Sequence, residues 1–326
     1  MRGVKNRGAL FVRMRSISMP AAALALVCQG VYPAPFAYVP NEESGTISVI
    51  DTQSDAVVRT IKAGKKPRGI ATGKAGNALY VSDQPNNALL IVDLDKQAVV
   101  DNIDLGESPE GVAMSPDGHL VAAAVELTNS IALVDTATKK RVANIKVEGK
   151  NPEHAVFSPD GKWIYTSAEE ATQVDIIDLG QRKQVASVPV GRRPRGIGFL
   201  PDSSKAYVAC ELDSTIYVID VVKQTVLKSI KGGSFSNGVA VRPDGRRVYV
   251  SNGKDATVSV IDTGSDTIVA TIAVGKRPWN MAITPDGKKL YVAAGRSDAV
   301  SVIDTQSNQK IADVPVGERP WGVVIH

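Results

Sequence analysis

The tripeptide Val/Ile/Leu-Val/Ile-Asp recurs seven times, ending at Asp51, Asp93, Asp135, Asp178, Asp220, Asp262 and Asp304. Successive aspartates are 42, 42, 43, 42, 42 and 42 residues apart. So little drift means one structural unit of fixed size per copy, and a period near 42 matches the ~40–45 residues of a four-stranded propeller blade. Residues 238–274 illustrate the unit. Gly238–Val241 reads as a strand, Arg242-Pro243-Asp244-Gly245 as a turn and Arg247–Ser251 as a second strand. Asn252-Gly253-Lys254-Asp255 turns again, Thr257–Asp262 alternates polar and apolar, and Ile268–Ile272 is the outer strand. Proline fixes φ and glycine accepts positive φ, so each turn is encoded locally. No helical period competes after residue 37. The expected fold is all-β, a single seven-bladed β-propeller of four-stranded blades.

The ends of the chain predict how the ring closes. Ala37-Tyr38-Val39 enters at the second strand of a unit, with no first strand before it. Trp321-Gly322-Val323-Val324-Ile325 is a first strand with nothing after it. N-terminal strands pairing with this C-terminal strand complete one blade and hide sheet edges that would otherwise aggregate.

Residues 1–36 read as an export signal and 37–326 as the propeller. Arg2, Lys5, Arg7, Arg13 and Arg15 precede an apolar stretch, Ile17 to Val31, and then Pro33-Ala34-Pro35. That order of charge, apolar core and small residues is the signature of a signal peptide, and the stretch is short for a membrane span. Without those five charges, 33 basic residues face 34 acidic ones. A nearly neutral mature chain has no global attraction for nucleic acid or anionic membranes. The expected location is the periplasm or the exterior, with no membrane span. Val27 ahead of Cys28 is too bulky for the usual lipid-acceptor site, which leaves Cys210 alone and expected to be a buried strand residue.

The strands Tyr80-Val81-Ser82-Asp83 and Tyr249-Val250-Ser251-Asn252 resemble the YVTN-type seven-bladed β-propeller repeat family. Tyr38, Tyr80, Tyr165, Tyr207, Tyr249 and Tyr291 share one column, with Ala122 in the third blade. Within that family the chain looks most like exported propellers associated with PQQ-dependent alcohol catabolism. That likeness is carried by Tyr38-Val39-Pro40-Asn41-Glu42, Arg68-Gly69-Ile70, Arg277-Pro278-Trp279 and Arg319-Pro320-Trp321-Gly322-Val323. The chain departs from it in the short segment Lys231–Asn237. The resemblance implies the fold over 37–326 and a place beside a periplasmic oxidation or transport system.

One column breaks the uniformity that packing imposes elsewhere. It runs Arg68, Glu110, Glu153, Arg195, Asn237, Trp279, Trp321, and the next position runs Gly69, Gly111, His154, Gly196, Gly238, Asn280, Gly322. These residues follow the loops that lead into each innermost strand, at the expected mouth of the central channel. Arg68 and Arg195 offer bidentate hydrogen bonds to a carboxylate, and Trp279 and Trp321 offer stacking. Glu110, Glu153, His154, Asn237 and Asn280 complete the candidate ligand-binding set. The plainer alternative is a ring of exposed loop tips. The same loops carry Lys65, Lys66, Arg192, Arg193, Lys276, Arg277 and Arg319, against Glu42, Glu43, Glu126, Glu169, Glu170, Glu211 and Asp213 on neighbouring loops, and these are expected to pair as surface charges.

Catalytic sets are absent from the sequence. Three histidines, one of them terminal, make no structural zinc site, and no paired cysteines or Gly-x-Ser-x-Gly elbow occurs. No cofactor, metal or catalytic residue is therefore assigned. The leading expectation is a non-catalytic exported binding or accessory propeller serving a small anionic ligand or a periplasmic protein partner. The alternative is a lactonase-like hydrolase using Glu110 and Glu153 at the mouth. A third, disfavoured by the neutral charge, is single-stranded nucleic-acid binding through the basic loops and tryptophans.

Overall fold

The computed structural model describes Gly3 and residues 35–326. The expected signal segment, Cys28 included, lies outside the described residues except for Gly3, Pro35 and Phe36. From Phe36 onward the chain forms seven antiparallel four-stranded sheets arranged as blades, and all but the first are continuous in sequence. Blade 2 spans 67–104, blade 3 spans 109–146, blade 4 spans 152–189, blade 5 spans 194–231, blade 6 spans 236–273 and blade 7 spans 278–315. The only helical elements among the described residues are two 3-10 turns, Gln84–Asn86 and Glu126–Thr128. No helix among the described residues is long and apolar enough to cross a membrane.

Blade 1 closes the ring as the sequence predicts. Phe36–Asn41, Thr46–Asp51 and Ala56–Lys62 come from one end and Val324–Ile325 from the other. Ala37 faces Ile325 and Tyr38 faces Val324. Phe36 donates its N–H to the His326 carbonyl at 2.8 Å, and His326 donates back at 3.0 Å. The Trp321 N–H reaches the Pro40 carbonyl at 3.0 Å, so the residue that enters the channel mouth is fixed by the closure itself.

Seven buried apolar clusters form the core, and each draws side chains from two adjacent blades. The alternation in every middle strand makes this possible, because successive side chains face opposite neighbours. Each fully buried Val, Leu or Ile in a seam contributes roughly 1.5–3 kcal/mol. Cys210 is wholly buried at the end of Lys205–Cys210, as expected, and burial pushes its thiol up to about 12.

The repeated aspartates close turns. Asp51 accepts the Gln53 N–H at 2.7 Å, Asp262 accepts the Ser265 N–H at 2.9 Å, and the other five copies accept equivalent bonds. The residue four positions after two of these aspartates has a second role. Asp266 of blade 6 accepts from Lys205 Nζ at 2.6 Å and from the Tyr207 hydroxyl at 2.5 Å, both in blade 5. Asp55 of blade 1 accepts from Lys289 Nζ at 2.7 Å and also from the Tyr291 hydroxyl, both in blade 7.

Candidate functional site

Each innermost strand breaks register with its neighbour at the diversified column. Pairing jumps between Pro67 and Ile70, Pro109 and Val112, Pro194 and Ile197, Ser236 and Val239, and Pro278 and Met281. A bulge of this kind re-aims the side chains it releases. The released amides are satisfied locally. The Gly69 N–H donates to Ser82 Oγ at 2.9 Å, and that hydroxyl donates to the Glu110 carbonyl of the next blade at 2.6 Å. Gly238, Ser251 and the Trp279 carbonyl repeat the relay at 2.8 and 2.7 Å. Blade 4 differs, because His154 pairs directly with Ser167.

All seven residues of the column converge. Arg68, Glu110, Glu153, Arg195, Asn237, Trp279 and Trp321 line one cavity of about 300 Å³ at the mouth of the channel, together with Asn280. Arg193, Arg277, Arg319, Glu42, Glu126 and Glu169 from the surrounding loops line it too. The two kinds of loop therefore share this face, as the sequence predicts.

His154 does not line the mouth. It stacks on Trp321 with ring centroids 5.6 Å apart and planes at 22°. Blades 1 and 4 stand on opposite sides of the ring, so this stack crosses the channel. Both imidazole nitrogens are buried without a strict hydrogen-bond partner. Burial lowers the imidazole from the ordinary 6.5 to about 4, Arg195 adds to the effect, and Asn280 and Glu169 oppose it.

The loop charges pair as expected, Lys66 and Arg319 with Glu43, Arg192 with Asp213 and Arg193 with Glu169, but the two ring arginines organise differently. Arg68 and Arg195, expected to await an anion, are already held by carboxylates. Arg68 Nη2 lies 2.9 Å from Glu42 and its Nη1 contacts Glu110. Arg195 Nη1 lies 2.7 Å from Glu153 and also contacts Glu169, while its Nε lies 2.9 Å from Glu211. Glu42 and Glu211 are only 2 % and 1 % exposed, so these are not surface pairs that solvent screens. Burial works against a charged Glu211, but Arg195 and Arg277 outweigh it and hold the carboxyl below its usual range. Burial and then Glu153 push Glu110 well above the usual range, with Arg68 opposing. Its Oε2 is buried without a partner, so nothing on that side compensates a charge.

The sequence signal for this network is the residue after each second strand. That column runs Glu42, Gln84, Glu126, Glu169, Glu211, Gly253, Gly295. Carboxylates fill it from blade 1 to blade 5, apart from Gln84, and glycine fills it in blades 6 and 7. The mouth is consequently two-sided. One side is a buried network of guanidiniums and carboxylates. On the other, Trp279 lies against Gly295, where an added Cβ would fall 2.7 Å from the indole. Arg319 sits 6.0 Å from the centre of that indole. Arg277 contacts Glu211 at 2.7 Å and Arg319 contacts Glu43 at 2.8 Å, which leaves most of their N–H donors unused. No group of three or more metal-ligating side chains with metal-site geometry occurs among the described residues.

A family model described as a lactonase with a seven-bladed β-propeller matches residues 178–314. That span carries Arg195, Glu211, Asn237, Arg277, Trp279 and Asn280. No curated protein matches the chain. Among solved structures, a chain of the Kuenenia stuttgartiensis hydrazine synthase is 21 % identical with a TM-score of 0.76, covering 85 % of this chain and 98 % of its own. A functionally unknown protein from Desulfotomaculum acetoxidans is 20 % identical with a TM-score of 0.77, covering 89 % of this chain and 98 % of its own. Similarity at this identity speaks for the fold alone.

Proposed function

We propose that this protein is an exported, non-catalytic binding propeller whose ligand is a small planar carboxylate seated at the channel mouth. The observation that carries this reading is the pairing of Trp279 and Trp321 with Arg277 and Arg319 in one cavity of about 300 Å³. The indoles supply stacking surfaces, the two guanidiniums supply unused donors, and the Asn237 and Asn280 amides line the same cavity. Arg68 and Arg195 act behind them, as the charged half of a wall that Glu42, Glu153, Glu169 and Glu211 hold rigid. A quinone cofactor bearing carboxylates belongs to this ligand class. An accessory role in a periplasmic quinone-dependent system rests on the motifs around Tyr38, Arg68, Trp279 and Trp321, and membership of the YVTN-type group on the strands Tyr80–Asp83 and Tyr249–Asn252.

The test is thermal unfolding against planar carboxylates. A ligand at about 100 times its dissociation constant stabilises by ~2.7 kcal/mol. The expected result is a midpoint shift that disappears in the Trp279→Ala/Trp321→Ala variant. Binding that survives that variant overturns the channel-mouth reading, and no shift with any small molecule transfers the role to a protein partner.

A second reading, a lactone hydrolase, is favoured by the family match over residues 178–314. Its chemistry would have water attack the lactone carbonyl and pass its proton to Glu153 while the ring C–O bond breaks, a protonated Glu110 donating to the leaving oxygen and Arg277 holding the substrate carboxylate. Hydrolysis of a carboxylated lactone by the purified protein, lost in Glu110→Ala, separates it from simple binding.

A further inference from the structure

Beside the central mouth, between the rims of blades 6 and 7, lies a second cavity of about 270 Å³, which shares only Arg277 with the mouth's lining. Phe235, Gly253, Lys254, Lys276, Arg277 and Arg296 line it. Four cationic residues line this cavity, and among the described residues no carboxylate does.

The repeat supplies its own comparison. At the rim of blade 1, the Glu42 N–H donates to the Arg319 carbonyl at 3.0 Å and the Glu43 N–H to the Glu318 carbonyl at 3.3 Å. At the rim of blade 7, the Gly295 N–H donates to the Arg277 carbonyl at 3.0 Å and the Arg296 N–H to the Lys276 carbonyl at 3.1 Å. The same two rungs put Arg277 in the place of Arg319 and Arg296 in the place of Glu43. Glu43 neutralises Arg319 at 2.8 Å and Lys66 at 3.3 Å. Arg296 puts a fourth positive charge where that carboxylate stands. Lys254, Lys276 and Arg296 have no carboxylate partner among the described residues, and Arg277 engages only Glu211.

The main chain that carries the two lysines is also held in place. The Lys254 N–H is pinned to the Ser234 carbonyl at 3.1 Å and the Lys276 N–H to Ser297 Oγ at 2.8 Å. Phe235 forms an apolar wall, with the Arg277 guanidinium 5.4 Å and the Lys254 ammonium 5.8 Å from its ring centre. Gly253 leaves room for that guanidinium, since a Cβ there would lie 2.9 Å from Arg277 Nη1. Arg277, held by Glu211 and Phe235, therefore loses little freedom on binding.

We propose that this cavity is a binding site for a small, multiply charged oxyanion of the phosphoryl class, such as a phosphate monoester or pyrophosphate. Like charges gathered in a concave site repel one another until a counter-charge enters, and guanidinium and ammonium groups together suit phosphoryl oxygens. The cavity is at the small end of ligand pockets, which fits a phosphoryl group with few attached atoms.

The experiment is isothermal titration of the full chain with pyrophosphate and with inorganic phosphate at low and moderate salt. Wild type is expected to bind pyrophosphate more tightly than phosphate, with affinity falling as salt rises. Lys254→Ala/Arg296→Ala is expected to weaken binding about tenfold or more, a difference on the scale of one charge-assisted contact. Arg296→Glu restores the carboxylate found in blade 1 and is expected to abolish binding while the midpoint of unfolding stays or rises. Trp321→Ala, at the mouth and outside this cavity's lining, is expected to bind pyrophosphate as wild type does, which separates this site from the channel mouth. Undetectable binding at millimolar pyrophosphate, or equal affinity in the Lys254 and Arg296 variants, overturns the proposal.

Discussion

Lys289 Nζ lies 2.7 Å from the Asp55 carboxylate, although 234 residues separate the two in sequence. The contact straddles the seam where blade 7 meets blade 1, and the Tyr291 hydroxyl donates to the same carboxylate. The same arrangement, Lys205 and Tyr207 on Asp266, joins blades 5 and 6, where the chain is continuous. One local device therefore acts at a seam that the backbone links and at one that it must close without help.

This pair of seams allows a controlled comparison. Asp55 has a φ of 52°, a left-handed conformation that Asn tolerates well. Asp55→Asn thus removes the charge without adding backbone strain. The loss expected is about 1–3 kcal/mol, for an acceptor that serves a cation and a buried hydroxyl. Asp266→Asn should cost a similar amount. Hydrogen exchange should differ, however. The amides of Phe36–Asn41 are expected to exchange faster in Asp55→Asn and to stay protected in Asp266→Asn. Equal protection in both variants would mean that Val324–Ile325 alone secures the closure.

Glu110 sets an alkaline dependence. Its folded carboxyl titrates above its unfolded value, because burial and Glu153 disfavour the charge. Stability from such a group is fully present below the unfolded value and is lost as pH rises through the folded one. Glu110→Gln keeps an oxygen for Arg68 and cannot ionise. Its unfolding midpoint is expected to match wild type in acid and to exceed it increasingly as pH rises above the ordinary carboxylate range. Thermal scans at several pH values measure this. A variant less stable at every pH would mean that the charged pair with Arg68 outweighs the cost of burial.

Much of this was legible in the sequence, and the reasons are local. The seven aspartates fix the period, each Asp-led turn is encoded within four residues, and the split blade follows from which strand each end supplies. The column from Arg68 to Trp321 was legible as well, because it varies where packing residues do not. The occupancy of Arg68 and Arg195 was not. Their partners Glu42, Glu153, Glu169 and Glu211 come from two kinds of loop on up to three blades, and the burial that makes the pairs strong arises only when the ring closes. Column position alone places His154 at the mouth. Its pairing with Ser167 turns it to the stack with Trp321, a change of register that no spacing announces.

That stack carries its own acid dependence. His154 is held neutral, lowered from 6.5 to about 4 by burial first and Arg195 second. The unfolded chain therefore takes up a proton that the folded one refuses. Stability is fully present above pH ~6.5 and falls as pH drops toward ~4, by about 2–3 kcal/mol in all. Asn280 fills the equivalent position in blade 7, so His154→Asn is a tolerated shape. This variant is expected to flatten the decline between pH ~6.5 and ~5, before the carboxylates held low, such as Glu211, begin to protonate. Chemical denaturation across that window is the check, and an unchanged slope would place the acid sensitivity elsewhere.

Glycine at the position after the ring residue decides how closely the blades approach. A Cβ on Gly69 would lie 2.2 Å from the Glu110 carbonyl oxygen and 2.6 Å from the Val112 nitrogen. Gly196 and Gly238 face the next blade's backbone at 2.5 and 2.4 Å in the same way. These obstacles are main chain, so no rotamer change relieves them. His154 carries a side chain here, and its strand packs less closely on the innermost strand of blade 5 than on that of blade 3. Gly69→Ala must therefore push blades 2 and 3 apart, which strains the Ser82 hydroxyl that links the Gly69 N–H to the Glu110 carbonyl. The expected cost is about 2–4 kcal/mol, at the upper end for overpacking. The displacement also moves Arg68 relative to Glu110, so ligand affinity at the mouth should fall together with stability. Gly322→Ala is the control, because its Cβ would meet nothing nearer than the Asn280 Cβ at 3.3 Å. Equal midpoints for the two variants would show that the ring absorbs the extra methyl by uniform expansion and that close approach at the Gly69 seam does not hold the mouth in shape.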